Sequence, residues 1–234
     1  MTEPIVLYED EYCIAVCKPN RMLVHHSHYS RNLQEEESLF EWLKVSLEIE
    51  AFPVHRLDYK TSGIVLLCKE KSYVNEFQDL FENQSIEKKY LALLRGHIDE
   101  KGIIDSPVQN DRGNYKTAET HYQLLQHFTL NIEVEPYPSS RYSLVEFTPK
   151  TGRMHQLRIH ANKISHPIIG DTKYGNRHHN RMFANELHFP NLFLHAQFLS
   201  FTHPILNTKI CIEAQLPEFW NECLAQFEGL KLDN

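Results

Sequence analysis

The sequence lacks the features that would assign it to a membrane or secreted class of protein. No apolar run approaches the ~20 residues that a membrane-spanning helix requires, and the first residues lack the basic and apolar regions of a signal peptide. The five cysteines are scattered and odd in number, and no C-x-x-C pair occurs. This usage predicts reduced, mostly buried thiols. We therefore expect a cytoplasmic protein without a membrane partner.

Internal repeats and low-complexity tracts are also absent. The chain has 234 residues, of which 41% are hydrophobic, with 13 Phe and 11 Tyr. This length and composition predict a substantial buried core, in one large domain or two small ones.

A strong excess of positive charge is missing as well, since the formal net charge is -7. The charges are segregated, however. Residues 141–181 contain eight Lys or Arg against two acidic residues, so this stretch carries +6 and the rest of the chain -13. Five histidines lie in the same stretch. A local positive field of this kind predicts a surface for a polyanion such as a nucleic acid.

Hydrophobic periodicity predicts a chain of mixed strands and helices. The predicted strands are 5–8, 12–17, 64–68, 86–96, a strand ending at Leu125, 130–134, 141–148, 193–201 and 208–213. The predicted helices begin after Ser38, as an N-cap, and cover 72–83, 153–164 and 217–227. The polar segment 105–118 is predicted to be a loop.

The helix predicted at 153–164 places one charged residue beside an apolar stripe. Met154, Leu157, Ala161 and Ile164 follow one another at steps of 3, 4 and 3 residues, so they predict one buried face. Arg158 lies beside that stripe, where its methylene stem can be covered while its guanidinium reaches sideways. We expect this guanidinium to pair with a carboxylate.

Two groups of histidines invite a metal-site interpretation. In His25-His26-Ser27-His28 no carboxylate or cysteine lies at ligand spacing, so a loop role is favoured. His155 and His160 are five residues apart and do not share a helix face, as a two-histidine zinc site would require. A zinc hydrolase is the weakest alternative.

The stretch from His55 to Gly63 places Asp58 two residues after Arg56, on a Thr-Ser-Gly turn that leads into the apolar run Ile64–Cys68. Taken alone, an Arg-x-Asp of this kind is most often a weak surface ion pair. The motifs further along the chain change that interpretation.

Several motifs occur in a fixed order. They are His-Arg-Leu-Asp-x-x-Thr-Ser-Gly at 55–63, Lys-Lys-Tyr at 88–90, Lys-Thr-Gly-Arg-x-His-Gln-Leu-Arg-x-His at 150–160, Pro-Ile-Ile-Gly-Asp at 167–171 and Leu-His-Ala at 194–196. The set resembles the RluA family of pseudouridine synthases and covers nearly the whole chain. The resemblance implies an α+β fold with a central, mainly antiparallel mixed sheet, flanking helices and an RNA-binding cleft. It also implies a single catalytic domain over 1–234, without an auxiliary N-terminal RNA-binding domain.

The resemblance implies isomerisation of uridine to pseudouridine in RNA, with no cofactor or metal. By this analogy Asp58 is the catalytic aspartate, Arg158 pairs with it, and Tyr90 packs on the base. Arg56 would fill the space of the flipped nucleotide, and Leu157 would pack near the uracil. Asp58 would act either as a nucleophile at C1′ or as a base at C2′, and both routes stay open.

The expected partner is RNA. Within the family the motifs are most similar to the branch that modifies tRNA, which implies position 65 in the T-stem as the target. The same reaction on ribosomal RNA or at another tRNA site, and an RNA-binding module without turnover, are the alternatives. No obligate protein partner is evident. The residues expected to contact the RNA substrate are His55, Lys60, Lys116, Arg153 and His155.

Overall fold

The computed structural model describes residues 3–26, 37–110 and 112–230. The chain divides into two compact units. The first comprises Met1–Lys88 and Ala196–Gln215, and the second comprises Lys89–His195 and Leu216–Asn234. The single catalytic domain expected from the sequence stays a prediction.

The elements are numbered in chain order. The strands are β1 (Ile5–Glu9), β2 (Cys13–Lys18), β3 (Phe52–Pro53), β4 (Ser62–Cys68), β5 (Glu87–Arg95), β6 (Lys101–Asp105), β7 (Val108–Gln109), β8 (Tyr115–Lys116), β9 (Glu119–Leu130), β10 (Ser140–Pro149), β11 (Leu194–Thr202) and β12 (Lys209–Glu213). The helices are α1 (Leu39–Ser46), α2 (Val74–Glu82), α3 (Gln156–Lys163), α4 (Arg177–Asn185) and α5 (Glu218–Leu230). No described helix has the length and apolar character needed to cross a membrane.

In the first unit, β2 pairs antiparallel with both β1 and β4. The register of β2 and β4 runs from Cys13 opposite Cys68 to Lys18 opposite Gly63, so the end of β2 lies beside the start of β4. Helix α1 begins as predicted, because Ser38 and Glu41 form a reciprocal capping box. The hairpin predicted at 5–8 and 12–17 is confirmed.

In the second unit, β10 lies between β5 and β9, and β6 pairs with the other side of β9. Successive side chains of β5 alternate between two buried clusters. Leu91 and Leu93 face a cluster that includes residues of α4 and α5, whereas Ala92 and Leu94 face one that includes residues of α3. Helices therefore cover both faces of this sheet. The pairings described here are antiparallel, and the predicted α+β fold is confirmed.

Several predictions in the second unit are wrong, and the segment predicted to be a loop at 105–118 contains the β7–β8 hairpin. The strand predicted to end at Leu125 continues to Leu130 as β9. The strand predicted at 130–134 is not formed, because the chain after Leu130 enters a turn closed by the isolated bridge between Val134 and Tyr137. A register shift at Leu125, which is 51% exposed, interrupts the alternation of β9 and conceals its continuity.

The helix predicted at 153–164 begins later, at Gln156. Met154 lies outside the helix and is 37% exposed, so it does not join the buried stripe. The residues before the helix form a turn that the Gln156 side chain holds. His155 adopts a left-handed conformation with φ of 55°, and the Gln156 Oε1 atom accepts hydrogen bonds from the Arg153 N–H at 3.0 Å and the Thr151 hydroxyl at 2.7 Å. These contacts fold the preceding residues into a turn.

Candidate active site

The loop that carries Asp58 is fixed mainly through its backbone. The Asp58 carbonyl accepts a hydrogen bond from the Thr61 N–H at 3.0 Å, which closes the turn before β4. The chain just after β2 holds the next two carbonyls, because the Met22 N–H donates to the Tyr59 carbonyl and the Asn20 amide donates to the Lys60 carbonyl. Asp58 is half-buried within the first unit. Its carboxylate therefore projects from a backbone with few degrees of freedom.

The side chain of Lys18 is fully buried next to this loop. Its Nζ donates to the Pro19 carbonyl at 2.9 Å and to the Tyr59 carbonyl at 3.3 Å. Burial lowers the pKa of Lys18 to about 7, and the negative charge of Asp58 acts in the opposite direction. The buried Lys18 thus supports the path of the loop through its two hydrogen bonds.

His55 holds the other end of the same loop. Its Nε2 accepts a hydrogen bond from the Leu66 N–H at 2.9 Å, and its ring stacks on Phe81 with centroids 4.6 Å apart. Burial, followed by the charge of Lys88, lowers the pKa of His55 to about 3. The neutral imidazole therefore ties the loop to β4. Its expected contact with RNA stays a prediction.

Gly63 lets the loop turn closely into β4. Its φ is +110°, and a Cβ atom there would lie 2.2 Å from the Ala196 carbonyl oxygen. Both the backbone conformation and the close approach require glycine. The turn predicted at Thr61, Ser62 and Gly63 lies earlier, at 58–61, because Ser62 and Gly63 already belong to β4.

In the second unit, Tyr90 and Leu157 contribute to one apolar surface. Tyr90 lies on β5 opposite Phe147 of β10 and packs against the buried cluster that contains Leu157. The Tyr90 ring is half-buried, whereas Leu157 is buried. This arrangement offers an aromatic ring supported by a packed apolar layer, as a site that receives a nucleobase needs.

Arg158 is buried on α3 and forms a two-pronged ion pair with Asp171. Its Nε donates to Oδ2 at 2.7 Å and its Nη2 donates to Oδ1 at 2.9 Å. Burial alone would raise the pKa of Asp171. The Arg158 hydrogen bonds and charge, together with the N–H groups of Lys173 and Tyr174, outweigh burial and lower it. The predicted carboxylate partner of Arg158 was Asp58. That pairing stays a prediction, and Asp171 is a partner that the sequence interpretation missed.

The remaining predicted substrate contacts lie in both units. Arg56 is exposed and Lys60 half-buried in the first unit, whereas Lys116 on β8 and Arg153 are exposed in the second. Arg153 Nε donates to the Thr117 carbonyl at 3.0 Å, which links the turn before α3 to the end of the β7–β8 hairpin. His155 is hydrogen-bonded through Nδ1 to the Tyr174 hydroxyl at 3.0 Å.

One buried cluster in the first unit contains three types of metal ligand: Asp10, Cys13 and His203. Their hydrogen bonds argue for a structural role. His203 Nδ1 accepts from the N–H groups of Ile205 and Leu206, so the ring proton lies on Nε2 and points to Asp10 Oδ2 at 3.2 Å. A metal at Nε2 would have to displace this proton without another place for it on the ring.

The histidines at 25 and 26 also have protein partners. His26 Nε2 lies 3.0 Å from a Glu41 carboxylate oxygen, and the His25 ring lies against Phe40. Ser27 and His28, the rest of the predicted histidine-rich loop, lie outside the described residues. The loop interpretation therefore gains support at its first two positions.

Comparison with known proteins identifies the family. The family described as RNA pseudouridylate synthase matches residues 12–163, a range that includes Asp58, Tyr90 and Arg158. The chain belongs to this family. It is an RNA-modifying isomerase, as the motifs predicted.

This pseudouridine synthase is similar to curated bacterial relatives over nearly its whole length. The tRNA pseudouridine synthase C of Haemophilus ducreyi is 40% identical over 234 residues, covering 95% of each chain. The protein of the same name from Pasteurella multocida is 39% identical, covering 95% of this chain and 96% of that one. The Vibrio cholerae protein is 36% identical, covering 95% of each chain. The predicted similarity to the tRNA-modifying branch is confirmed.

Solved structures support the same fold. The human RNA pseudouridylate synthase domain containing 4 superposes with a TM-score of 0.72 at 25% identity, covering 98% of this pseudouridine synthase and 94% of that chain. The human RNA pseudouridylate synthase domain containing 1 gives a TM-score of 0.69 at 25% identity, covering 92% and 84%. The predicted pseudouridine synthase fold is thus confirmed.

Proposed function

We propose that this pseudouridine synthase modifies tRNA at uridine 65 of the T-stem and that Asp58 is its catalytic residue. The observation that carries the choice of tRNA is the 36–40% identity, over 95% of the chain, to relatives named tRNA pseudouridine synthase C. Position 65 rests on the resemblance of the motifs to that branch of the family.

The reaction moves the uracil from N1 to C5 attachment. The N1–C1′ bond breaks, the uracil turns while it stays bound, C5 bonds to C1′, and C5 loses its proton while N1 gains one. The base has to leave the stack to reach protein groups. We assign to the exposed Arg56 the role of filling the space that the base leaves in the stack. The half-buried Tyr90, supported by Leu157, packs on the face of the uracil.

Asp58 has to be ionised in either route. A carboxylate that attacks C1′ and a carboxylate that removes the C2′ proton both start from the anion. The buried Lys18 lies next to the Asp58 loop, and the negative charge of Asp58 favours the protonated form of this lysine. We propose that Arg158 is a second cation, which pairs with the Asp58 carboxylate. The two hydrogen bonds from Arg158 to Asp171 support a fixed orientation of its guanidinium.

Phosphate contacts would add affinity without base selection. We assign this role to Lys60, Lys116, Arg153 and His155, all of which lie at least partly at the surface. The basic stretch at 141–181 supports the assignment. We further propose a cytoplasmic location, which agrees with five cysteines that are all free thiols.

Tritium release from C5-labelled tRNA transcripts tests the target. A transcript with uridine at position 65 should release tritium at a rate that rises in proportion to the enzyme concentration. A matched transcript with cytidine at that position should release none above background. Equal release from both transcripts would refute position 65.

A strain that lacks the gene tests the class of RNA. The reverse-transcription stop that carbodiimide treatment produces at position 65 should disappear from tRNA, and the stops in ribosomal RNA should persist. Unchanged tRNA together with a lost ribosomal stop would overturn the proposal in favour of the ribosomal alternative.

A further inference from the structure

The loop that follows α3, residues 166–175, surrounds the guanidinium of Arg158. Asp171 meets it edge-on through two hydrogen bonds, of 2.7 and 2.9 Å. Tyr174 lies over its face, with the Arg158 Cζ atom 5.2 Å from the ring centroid. A guanidinium held at both its edge and its face has little freedom to rotate or translate.

The ring of Tyr174 is itself held in place. Its hydroxyl is hydrogen-bonded to His155 Nδ1 at 3.0 Å, and the two rings meet edge to face with centroids 5.6 Å apart. The Tyr174 carbonyl accepts a hydrogen bond from the Asn162 amide at 2.6 Å. Residues at both ends of α3 therefore fix the tyrosine that covers Arg158.

The carboxylate side is equally constrained. Asp171 is 1% exposed, and its Oδ1 also accepts the N–H groups of Lys173 and Tyr174. From α4, the Asn180 side chain donates to the Asp171 carbonyl and accepts from the Gly170 N–H, each at 2.8 Å. The loop thus forms a closed network within the second unit.

From this network we infer that Asp171 and Tyr174 are positioning residues, which hold the guanidinium of Arg158 in the orientation that the reaction requires. The inference rests on the proposed function, in which Arg158 acts on the catalytic carboxylate. It assigns the Gly-Asp-x-x-Tyr segment at 170–174 a role in turnover. A shift of about 1 Å in such a group lowers the rate by about 100-fold.

Single-turnover and steady-state kinetics on the tRNA transcript test this inference. Tyr174→Leu, which removes the ring, should lower kcat about 10- to 100-fold and leave KM within about twofold. Tyr174→Phe keeps the ring over Arg158 and should retain most of kcat. Tyr137→Leu, at a 55% exposed tyrosine of the same unit, is the matched control and should match the wild type.

Asp171 variants test the other side of the guanidinium. Asp171→Asn should lower kcat at least as much as Tyr174→Leu, and Asp171→Glu should rescue part of the loss because it restores a carboxylate. Glu9→Gln, which removes one partner of the partly exposed Lys69–Glu9 ion pair, is the control. A kcat within twofold of wild type for both Tyr174→Leu and Asp171→Asn would overturn the inference.

A spectroscopic readout separates this inference from the proposed function. The Arg158 Nε–H signal in a ¹⁵N-edited NMR spectrum, assigned with Arg158→Lys, should be sharp and downfield because of the 2.7 Å bond to Asp171. It should broaden or move in Tyr174→Leu and Asp171→Asn but persist in Tyr174→Phe. A signal unchanged in all three variants would refute the positioning role. A wild type without turnover on tRNA, but with this pattern of signals, would refute only the proposed function.

Discussion

The Asp58 loop and the Arg158 side chain are held in different ways. In the first unit the protein fixes the backbone around Asp58, through Lys18 and the residues that follow it. In the second unit it fixes the charged head group of Arg158 itself, through Asp171 and Tyr174. An aspartate side chain has two rotatable bonds and an arginine side chain has more, so contacts to the backbone restrict the position of a carboxylate more than that of a guanidinium.

The charges in the two regions also differ. Arg158 and Asp171 neutralise each other in a short ion pair, whereas the hydrogen bonds described for the buried ammonium of Lys18 go to carbonyl groups. In the second region the ion pair thus joins two side chains of opposite charge. In the first region the charge that acts on Lys18 is that of Asp58, the residue proposed to react. The following predictions test this contrast, from the largest expected effect to the smallest.

Replacing the carboxylate should have the largest effect. Asp58→Asn should lower tritium release at least about 1000-fold, because the amide can neither attack C1′ nor accept the C2′ proton. Affinity for the tRNA transcript, measured by filter binding, should stay within about threefold. Asp79→Asn, on the exposed side of α2, is the control. Retained turnover in Asp58→Asn would show that Asp58 is not the catalytic residue.

Removing the buried ammonium should have the next largest effect. Lys18→Met removes the Nζ hydrogen bonds to the Pro19 and Tyr59 carbonyls and leaves the Tyr59 carbonyl with the Met22 N–H, so the backbone next to Asp58 is held less firmly and kcat should fall about 10- to 100-fold. Lys44→Met, at an exposed lysine of α1, is the control. Unchanged kcat in Lys18→Met would show that the remaining backbone contacts suffice.

The same variant has a pH signature. The pKa of Lys18 is about 7 in the folded protein, below its ordinary value of ~10.4 in the unfolded chain. Between these values the unfolded chain binds the proton that the folded protein has released, so wild-type stability gains a contribution as pH rises. The difference in unfolding free energy between wild type and Lys18→Met, measured in urea, should therefore grow from pH 7 to pH 9. A constant difference would contradict the lowered pKa.

These two regions also show what the sequence could and could not predict. The resemblance of the motifs to the family implies Asp58, Tyr90 and Arg158 as site residues, which stay a prediction, and periodicity predicted the hairpin. The ion pair with Asp171 was missed because it joins a helix to a turn 13 positions later, a separation that no helix or strand period produces. The late start of α3 was missed for a similar reason. The Gln156 amide donates to Glu119 and Thr120, more than 30 residues away, and such contacts override local helix propensity.

A smaller effect should follow from the neutral histidine that ties the Asp58 loop to β4. The pKa of His55 is about 3 in the folded protein and ~6.5 when unfolded. As pH falls from 6.5 towards 3 the unfolded chain takes up a proton that the folded protein excludes, so stability is lost, by less than about 1.4 kcal/mol per pH unit. His55→Gln removes this loss.

The measurement is the unfolding free energy of wild type and His55→Gln at pH 8 and pH 5. The destabilisation caused by the substitution should be smaller at pH 5, because the wild type alone loses the contribution of His55. Other histidines with lowered pKa values, including His179 and His160, act equally in both proteins and cancel in the difference. A gap that widens at pH 5 would mean that His55 is protonated in the folded state.

The smallest effect concerns the surface around the second region. Arg153 is exposed and is proposed to contact a phosphate, so Arg153→Ala should weaken tRNA binding and lower the slope of log Kd against log salt concentration by about 0.7–0.9. Lys44→Ala, outside the basic stretch at 141–181, should leave the slope unchanged. Because Arg153 Nε also holds the Thr117 carbonyl, a structural effect would weaken binding by the same factor at every salt concentration. A parallel shift of the line of log Kd against log salt concentration, without a change in slope, would therefore show that Arg153 supports the β7–β8 hairpin and does not contact a phosphate.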